Sequence, residues 1–205
     1  LGELELAMNT KNPFAMGWAK IKEICDAGEA ANYFALGDTV KINCGSLGEY
    51  TFRVVGINQA VDTCDSTHGL IMQATESVIQ MKWHTAKITV DYSTSEFNKW
   101  FTSTFVPALP SDLQAVLATP TLYYWTSNSN SSYYRNTITP QVFIASFWNM
   151  CTTDPYSNVV DTSAYRNLFG YFETNTPDFY LKEGSVVTWV RDVSEEYAIQ
   201  PAILS

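Results

Sequence analysis

The stretch VKINCGSLGEYTFRV, residues 40–54, decides the fold. Apolar and polar side chains alternate on both sides of a segment that contains Gly45 and Gly48. Such alternation is typical of an antiparallel β-hairpin that buries one face, because successive side chains of a strand point to opposite faces. The sequence therefore predicts a hairpin here. The alternating apolar residues are Val40, Ile42, Tyr50, Phe52 and Val54.

Helical periodicity is found on both sides of this hairpin. Apolar residues spaced along one helix face and followed by Gly28 predict a short amphipathic helix before it. Further on, Ser93 and Glu96 have the spacing of a capping box, which predicts a second helix that ends at Pro107. A third short helix is predicted from Pro110 onward.

The remaining segments read as strands, and no strand–helix–strand repeat is present. We therefore predict an α+β fold, in which short helices pack on an antiparallel sheet. The chain has no linker composition, so we predict a single domain over 1–205, with 1–12 as an extended N-terminal arm. The further strand candidates are 70–74, 87–92, 121–126, 141–147, 179–182, 186–193 and 197–204.

Composition excludes several classes of partner. Hydrophobic residues are 46% of the 205 residues and charged residues only 16%, which is typical of a chain with a packed core. The formal net charge of -9 opposes binding to phosphate backbones and to anionic membranes. No run approaches the roughly 18–20 consecutive apolar residues that a membrane-spanning helix requires. The sequence thus predicts neither nucleic-acid binding nor membrane insertion.

Motifs for catalysis or cofactor binding are missing from the sequence. It contains no G-x-S-x-G nucleophile elbow, no glycine-rich phosphate loop and no C-x-x-C pair. His68 and His84 lack the i, i+4 spacing that places two ligands on one metal ion. We therefore predict that the protein is not an enzyme and has no cofactor and no metal site.

The cysteines are predicted to be free thiols, because a domain with this much apolar core does not need disulfides. The alternative is a bridge between Cys44 and Cys64 on neighbouring strands, which would require an oxidising compartment. Around Cys64, the cluster of Asp62, Asp65 and His68 could bind a divalent cation. A turn in which aspartate side chains accept backbone N–H hydrogen bonds explains the same residues and is the favoured interpretation.

One segment, 123–135, has the composition of a recognition surface. Aromatic residues flank a run of serines and asparagines, as in paratopes and sugar sites where rings stack and short polar side chains hydrogen-bond. The alternative is a hairpin with a polar tip whose aromatic residues pack in the core. The predicted ligand-binding residues are Tyr123, Tyr124, Trp125, Asn128, Asn130, Tyr133, Tyr134 and Arg135.

Seven short segments occur in an order that is shared with a known family. They are WAKI (18–21), FALGD (34–38), FRVVGI (52–57), LPSDL (109–113), VFIAS (142–146), WVR (189–191) and AIQPAIL (198–204). Together they resemble an uncharacterised domain family of phages, prophages and surface proteins of Gram-positive gut bacteria. The family's patterns are W-x-x-I, G-D, L-P-x-x-L, V-F-L-L-S, W-L-R-S and V-R-P-A-L. Gln200 stands where the family usually has arginine.

The end of the chain is also similar to that of C-type-lectin-like and formylglycine-enzyme-like domains, and by analogy this implies a C-type-lectin-like fold. The calcium triplets of true C-type lectins are not present. Trp148-Asn149 continues to Met150, and Gln200-Pro201 continues to Ala202. Calcium-dependent sugar binding is therefore not implied.

The resemblance implies a phage virion structural protein, a tail, baseplate or capsid-surface component. Its non-catalytic, lectin-like domain would serve in capsid decoration or host attachment, as an adhesin does. The expected partners are other virion proteins or further copies of the chain, and a glycan or protein of the host cell surface. The alternative is a bacterial secreted or surface lectin-like module that binds glycan or peptide.

Overall fold

The computed structural model describes residues 12–76, 78–79, 91–127, 133–146, 149–150 and 165–175. These residues form an α+β fold with two antiparallel sheets, which confirms the predicted class, whereas the C-type-lectin-like fold stays a prediction. The strands are β1 Thr39–Asn43, β2 Glu49–Ile57, β3 Leu70–Ala74, β4 Leu122–Ser127 and β5 Tyr133–Ile138. The helices are α1 Trp18–Asp26, α2 Glu96–Trp100, α3 Val106–Ala108 and α4 Ser111–Gln114.

Strands β1 and β2 form the predicted hairpin. Val40 lies opposite Phe52, and Ile42 lies opposite Tyr50, so the alternating residues share one face. Strand β3 pairs with the other edge of β2 and completes a sheet in the order β1-β2-β3. The pairing of β2 with β3 shifts between Val54 and Gly56. Such an irregularity locally disrupts the ladder and increases the twist of the strand.

Three apolar clusters fill the interior. The first lies under α1, the second lies beneath the segment from α2 to α4, and the third joins the first sheet to β4. The third cluster matters for function, because it fixes one face of β4 against the body of the protein. Its fully or almost fully buried residues include Val55, Val61, Leu122, Met150 and Phe169.

The central helix begins and ends differently from the prediction. Its N-cap is Ser95, whose hydroxyl accepts a hydrogen bond from the Asn98 N–H at 3.2 Å, so the predicted cap at Ser93 is wrong. Ser93 is drawn into a preceding 3₁₀ turn, Tyr92–Thr94. The helix also continues past Pro107 to the end of α3, through a π-helical turn that joins α2 to α3. Pro107 lies in the first turn of α3, directly after the π-helical turn.

The strand predictions are confirmed in part. Those over 70–74 and 121–126 correspond to β3 and β4. The strand predicted over 141–147 is wrong for 141–146, which are irregular. There the buried N–H of Ile144 donates to the Tyr92 hydroxyl at 3.2 Å, so a side chain satisfies a backbone group that a strand would have paired.

Other expectations fall largely outside the described residues. Tyr92, within the predicted strand 87–92, lies in a 3₁₀ turn, and residues 87–90 are not described. Of the predicted arm 1–12, only Asn12 is described. The strands predicted over 179–182, 186–193 and 197–204 lie outside the described residues. No helix in the described ranges is long and apolar enough to cross a membrane.

Cys25, Cys44 and Cys64 are free thiols, so the alternative bridge between Cys44 and Cys64 is not formed. Burial raises the pKa of the Cys44 thiol above its ordinary value of 9.0. Burial likewise raises the pKa of Cys25, against a weaker opposing effect of its hydrogen bond with the Leu70 backbone. Cys151 lies outside the described residues.

These raised thiol pKa values predict a dependence of stability on pH. A proton held more tightly in the folded state contributes stability that is fully present below the ordinary thiol pKa of 9.0 and is lost as the pH rises beyond it. The free energy of unfolding, measured in urea, should fall more steeply above pH 9.0 for the wild type than for Cys44→Ala. Identical pH profiles for the two proteins would contradict the assignment.

Candidate functional site

The two-stranded sheet of β4 and β5 carries six of the eight predicted ligand-binding residues. In its register, Tyr123 lies opposite Thr137, and Trp125 lies opposite Arg135. Because side chains alternate along each strand and cross-strand partners share a face, the register divides the hairpin into two faces. Asn128 and Asn130 lie outside the described residues, and Tyr133 is the first residue of β5.

One face of the hairpin points into the protein. Leu122 is completely buried in the third apolar cluster, and Ile138, opposite it, packs against the same cluster. Tyr124, two residues after Leu122, packs against the second cluster. At the outer end of this face, Tyr134 is 54% exposed. The structure therefore separates Tyr124 and Tyr134 from Tyr123, Trp125 and Arg135.

The other face carries a cluster of three rings and one cation, which we call the aromatic face: Tyr123, Trp125, Arg135 and Tyr165. The Tyr165 ring centroid lies 5.7 Å from that of Tyr123 and 6.3 Å from that of Trp125. The exposed Arg135 places its Cζ 4.5 Å from the Tyr123 ring centroid and 4.0 Å from that of Tyr165. These are cation–π distances, so the rings hold the guanidinium over the sheet.

Trp125 contributes its ring surface rather than its polar atom. The indole Nε1 is buried and has no acceptor in the described part of the chain. A buried donor without a partner does not stabilise the fold. The surface of the indole rings is therefore the part of this side chain that can contact a ligand. A phenyl ring at this position retains some of that stacking area.

A buried ion pair holds the aromatic face in place. The Nη1 of Arg166 lies 2.6 Å from Oδ2 of Asp62, and neither side chain is exposed to solvent. The same Oδ2 accepts a hydrogen bond from the Tyr123 N–H at 2.8 Å, and the same Nη1 donates to the Tyr123 carbonyl at 3.0 Å. This Asp62/Arg166 clamp therefore binds both backbone groups of an aromatic-face residue and fixes Tyr165, the neighbour of Arg166, beside it.

Side-chain amides extend the clamp. Asn149 is fully buried and donates to the carbonyls of Val61 and Asn167, each at 2.9 Å, while its Oδ1 accepts from the Ser146 N–H at 2.8 Å. The Gln59 side chain donates to the Leu168 carbonyl at 2.9 Å. Segment 165–170 is thus attached to segment 59–63 by side chains and by two backbone hydrogen bonds of an isolated antiparallel bridge, from the Thr63 N–H to the Tyr165 carbonyl and from the Asn167 N–H to the Val61 carbonyl.

The acidic cluster around Cys64 forms the favoured turn in part. Oδ1 of Asp65 accepts hydrogen bonds from the N–H groups of Thr67 and Thr121, and its Oδ2 accepts from Val61, all at 3.0 Å. The Asp65 carboxylate therefore forms the predicted turn, whereas the turn interpretation is wrong for Asp62, whose carboxylate binds the distant Tyr123 N–H and Arg166. His68 is exposed. Among the described residues, no group of three or more histidine, cysteine, aspartate or glutamate side chains could hold a metal ion.

A cavity of about 610 Å³ lies elsewhere, between α1, β3 and the segments 101–120 and 141–145. Most of its lining is aliphatic or aromatic, with Lys22, Gln73 and His68 among the polar residues. None of the four aromatic-face residues lines it. The cavity is partly open, since the exposed residues Lys22 and His68 line it, and the aromatic face is a separate surface.

Sequence reasoning missed the partners that build the aromatic face. Tyr165 and Arg166 lie far from the hairpin in sequence, and no local motif marks them. The one available signal was Asp62 beside the apolar Val61, because a carboxylate in such a setting requires a partner when it is buried. Comparisons of the chain with protein-family models, with curated proteins and with solved structures find no match.

Proposed function

We propose that this chain is a non-catalytic recognition domain of a phage virion, and that the aromatic face contacts glycan on the host cell surface. The observation that carries the proposal is the cluster of three rings and an exposed arginine on one face of a sheet, beside segment 165–167. Flat rings stack on the apolar faces of sugars, and arginine and aromatic residues are enriched in recognition surfaces.

Rigidity supports this proposal. The Asp62/Arg166 clamp bonds both backbone groups of Tyr123, and Leu122 and Ile138 on the opposite face of the hairpin pack in the core. A surface that is already ordered loses little conformational entropy when it binds. The rings are therefore ordered before a ligand binds.

The virion context rests on the order of the short motifs along the sequence. The net charge of -9 supports a glycan or protein partner over a nucleic acid, because like charges repel. In the virion, the same domain would also contact neighbouring virion proteins or further copies of itself. A bacterial secreted or surface module is the second candidate, and it would use the same aromatic face.

The proposal is tested by binding of the labelled, folded protein to Gram-positive cells and to their purified wall polysaccharides. We expect saturable binding that unlabelled protein displaces. A folded protein that binds neither cells nor any of the polysaccharides would overturn the host-contact function and favour a purely structural role in the particle.

Substitutions on the two faces of the hairpin should separate binding from stability. Trp125→Ala removes ring surface and should weaken polysaccharide binding by about tenfold or more. Trp125→Phe should retain most of the binding, because a ring is kept and no hydrogen bond is lost in the described structure. Tyr134→Ala removes an exposed ring from the opposite face and is the matched control.

The measurements are dissociation constants for the three variants, together with their melting temperatures. We expect the order wild type, Tyr134→Ala and Trp125→Phe close together, with Trp125→Ala far weaker. Tyr124 is unsuitable for this test because it packs against the second apolar cluster, so its loss would alter stability as well. Equal weakening by Trp125→Ala and Tyr134→Ala would contradict the assignment of the aromatic face.

A further inference from the structure

We infer that the aromatic face selects a glycan that carries an anionic oxygen group, a carboxylate or a phosphate, and that Arg135 binds this group. The inference rests on the proposed function and adds the chemical class of the ligand. It starts from the bonding of the arginines. Arg166 is paired with Asp62, and Arg53 donates to the side chains of Tyr171 and Gln73.

Arg135 is bonded differently from those two arginines. In the described part of the chain, only the rings of Tyr123 and Tyr165 hold its guanidinium, and no carboxylate or carbonyl accepts from it. A guanidinium has five N–H donors in a planar fork, and no described carboxylate or carbonyl oxygen accepts from those of Arg135. These donors are therefore available to a ligand that reaches the aromatic face.

In the described part of the chain, no carboxylate forms an ion pair with Arg135. Neither β4 nor β5 contains an aspartate or a glutamate. Asp62, the acidic residue of the clamp, is paired with Arg166. Within the described residues, Arg135 is therefore a cation without a paired carboxylate, in a chain whose net charge is -9. A neutral sugar would make no use of that charge, whereas a carboxylate or phosphate would accept bidentate, charge-assisted hydrogen bonds from it.

The position of this cation beside the rings matches an acidic sugar or polyol. The Trp125 ring can stack on ring carbons, while the Arg135 guanidinium, which lies over the Tyr123 and Tyr165 rings, binds the acidic substituent. The two contacts are of different kinds, so they can be tested independently. Removing a ring weakens all binding, whereas removing the guanidinium abolishes the preference for anionic over neutral ligands.

The experiment compares three polymers: polygalacturonate, the same polymer with its carboxylates reduced to alcohols, and poly(glycerol phosphate). For the wild type we expect at least one anionic polymer to bind about tenfold more tightly than the reduced polymer, a difference of about 1.4 kcal/mol. The anionic polymer that binds with the higher affinity shows whether Arg135 prefers a carboxylate or a phosphate. Added salt should diminish the preference.

Arg135→Gln should bring this ratio of affinities to about one, whereas Lys41→Gln, which removes an exposed cation from the other sheet, should leave it unchanged. Arg135→Lys keeps the charge without the planar fork and should give an intermediate ratio. Melting temperatures verify that each variant is folded.

The possible failures are distinguishable. Equal wild-type affinities for the anionic and reduced polymers, with binding to wall polysaccharide retained, would overturn this inference and leave the proposed function standing. A preference that survives in Arg135→Gln would also overturn it. Loss of the proposed function itself would instead be seen as failure to bind cells and every polysaccharide.

Discussion

Asp62→Asn will lower the free energy of unfolding by about 3–5 kcal/mol, because it leaves the Arg166 guanidinium buried without its counter-charge. Both side chains are completely buried, and their charged atoms lie 2.6 Å apart. The amide keeps the size of the carboxylate and an oxygen that can accept from the Tyr123 N–H. The decrease in the free energy of unfolding therefore measures the effect of removing the charge and not of changing the side-chain shape. The measurement is urea unfolding at neutral pH.

An exposed ion pair provides the control for this substitution. Lys41 and Glu49 are 3.2 Å apart, with side chains that are 70% and 53% exposed. Glu49→Gln should therefore cost no more than about 1 kcal/mol. Replacing both clamp residues by apolar ones, Asp62→Leu with Arg166→Met, should recover much of the loss, since no buried charge remains. A loss from Asp62→Asn as small as that from Glu49→Gln would contradict the clamp.

Asn149→Ala is expected to cost about 3 kcal/mol of unfolding free energy. The substitution removes the acceptor of the Ser146 N–H and the donor to two backbone carbonyls, those of Val61 and Asn167. All three backbone groups would be left without this partner beside the core. The change in urea-unfolding midpoint measures the loss.

Asn136→Ala is the matched control for Asn149→Ala. Its amide donates to the Thr126 hydroxyl at 3.1 Å, but the residue is exposed, so water can replace the lost hydrogen bond. We expect a cost below about 1 kcal/mol. If the two alanine variants unfolded at the same urea concentration, the buried amide would not be a structural link between segments 59–63 and 165–170.

The local parts of the fold could be predicted from the sequence because their signals are periodic. The hairpin over 40–54 and the helix before Gly28 depend on side-chain spacing within one element, and the structure confirms both. The cap of α2 was misplaced by two residues because several serines and threonines compete for it. Strand 141–147 was wrong because an apolar run does not reveal whether a partner strand lies beside it.

The candidate site was predictable by composition and not by geometry. The aromatic-rich segment 123–135 was recognisable, but the division of Tyr123 from Tyr124 depends on which face meets the core. The clamp was not predictable, because Asp62 and Arg166 are 104 positions apart and no periodic pattern connects them. Tyr165 enters the site through that contact and through the hydrogen bond from the Thr63 N–H to its carbonyl, which no local pattern indicates either.

Hydroxyl-radical footprinting of the protein bound to Gram-positive wall polysaccharide tests the central claim most directly, because it reports which side chains the ligand covers. We predict slower oxidation of Tyr123, Trp125 and Tyr165 in the complex, and an unchanged rate at Tyr134, which is exposed on the opposite face. Protection of Tyr134 without protection of Trp125, or equal rates at all four residues with and without bound polysaccharide, would contradict the account.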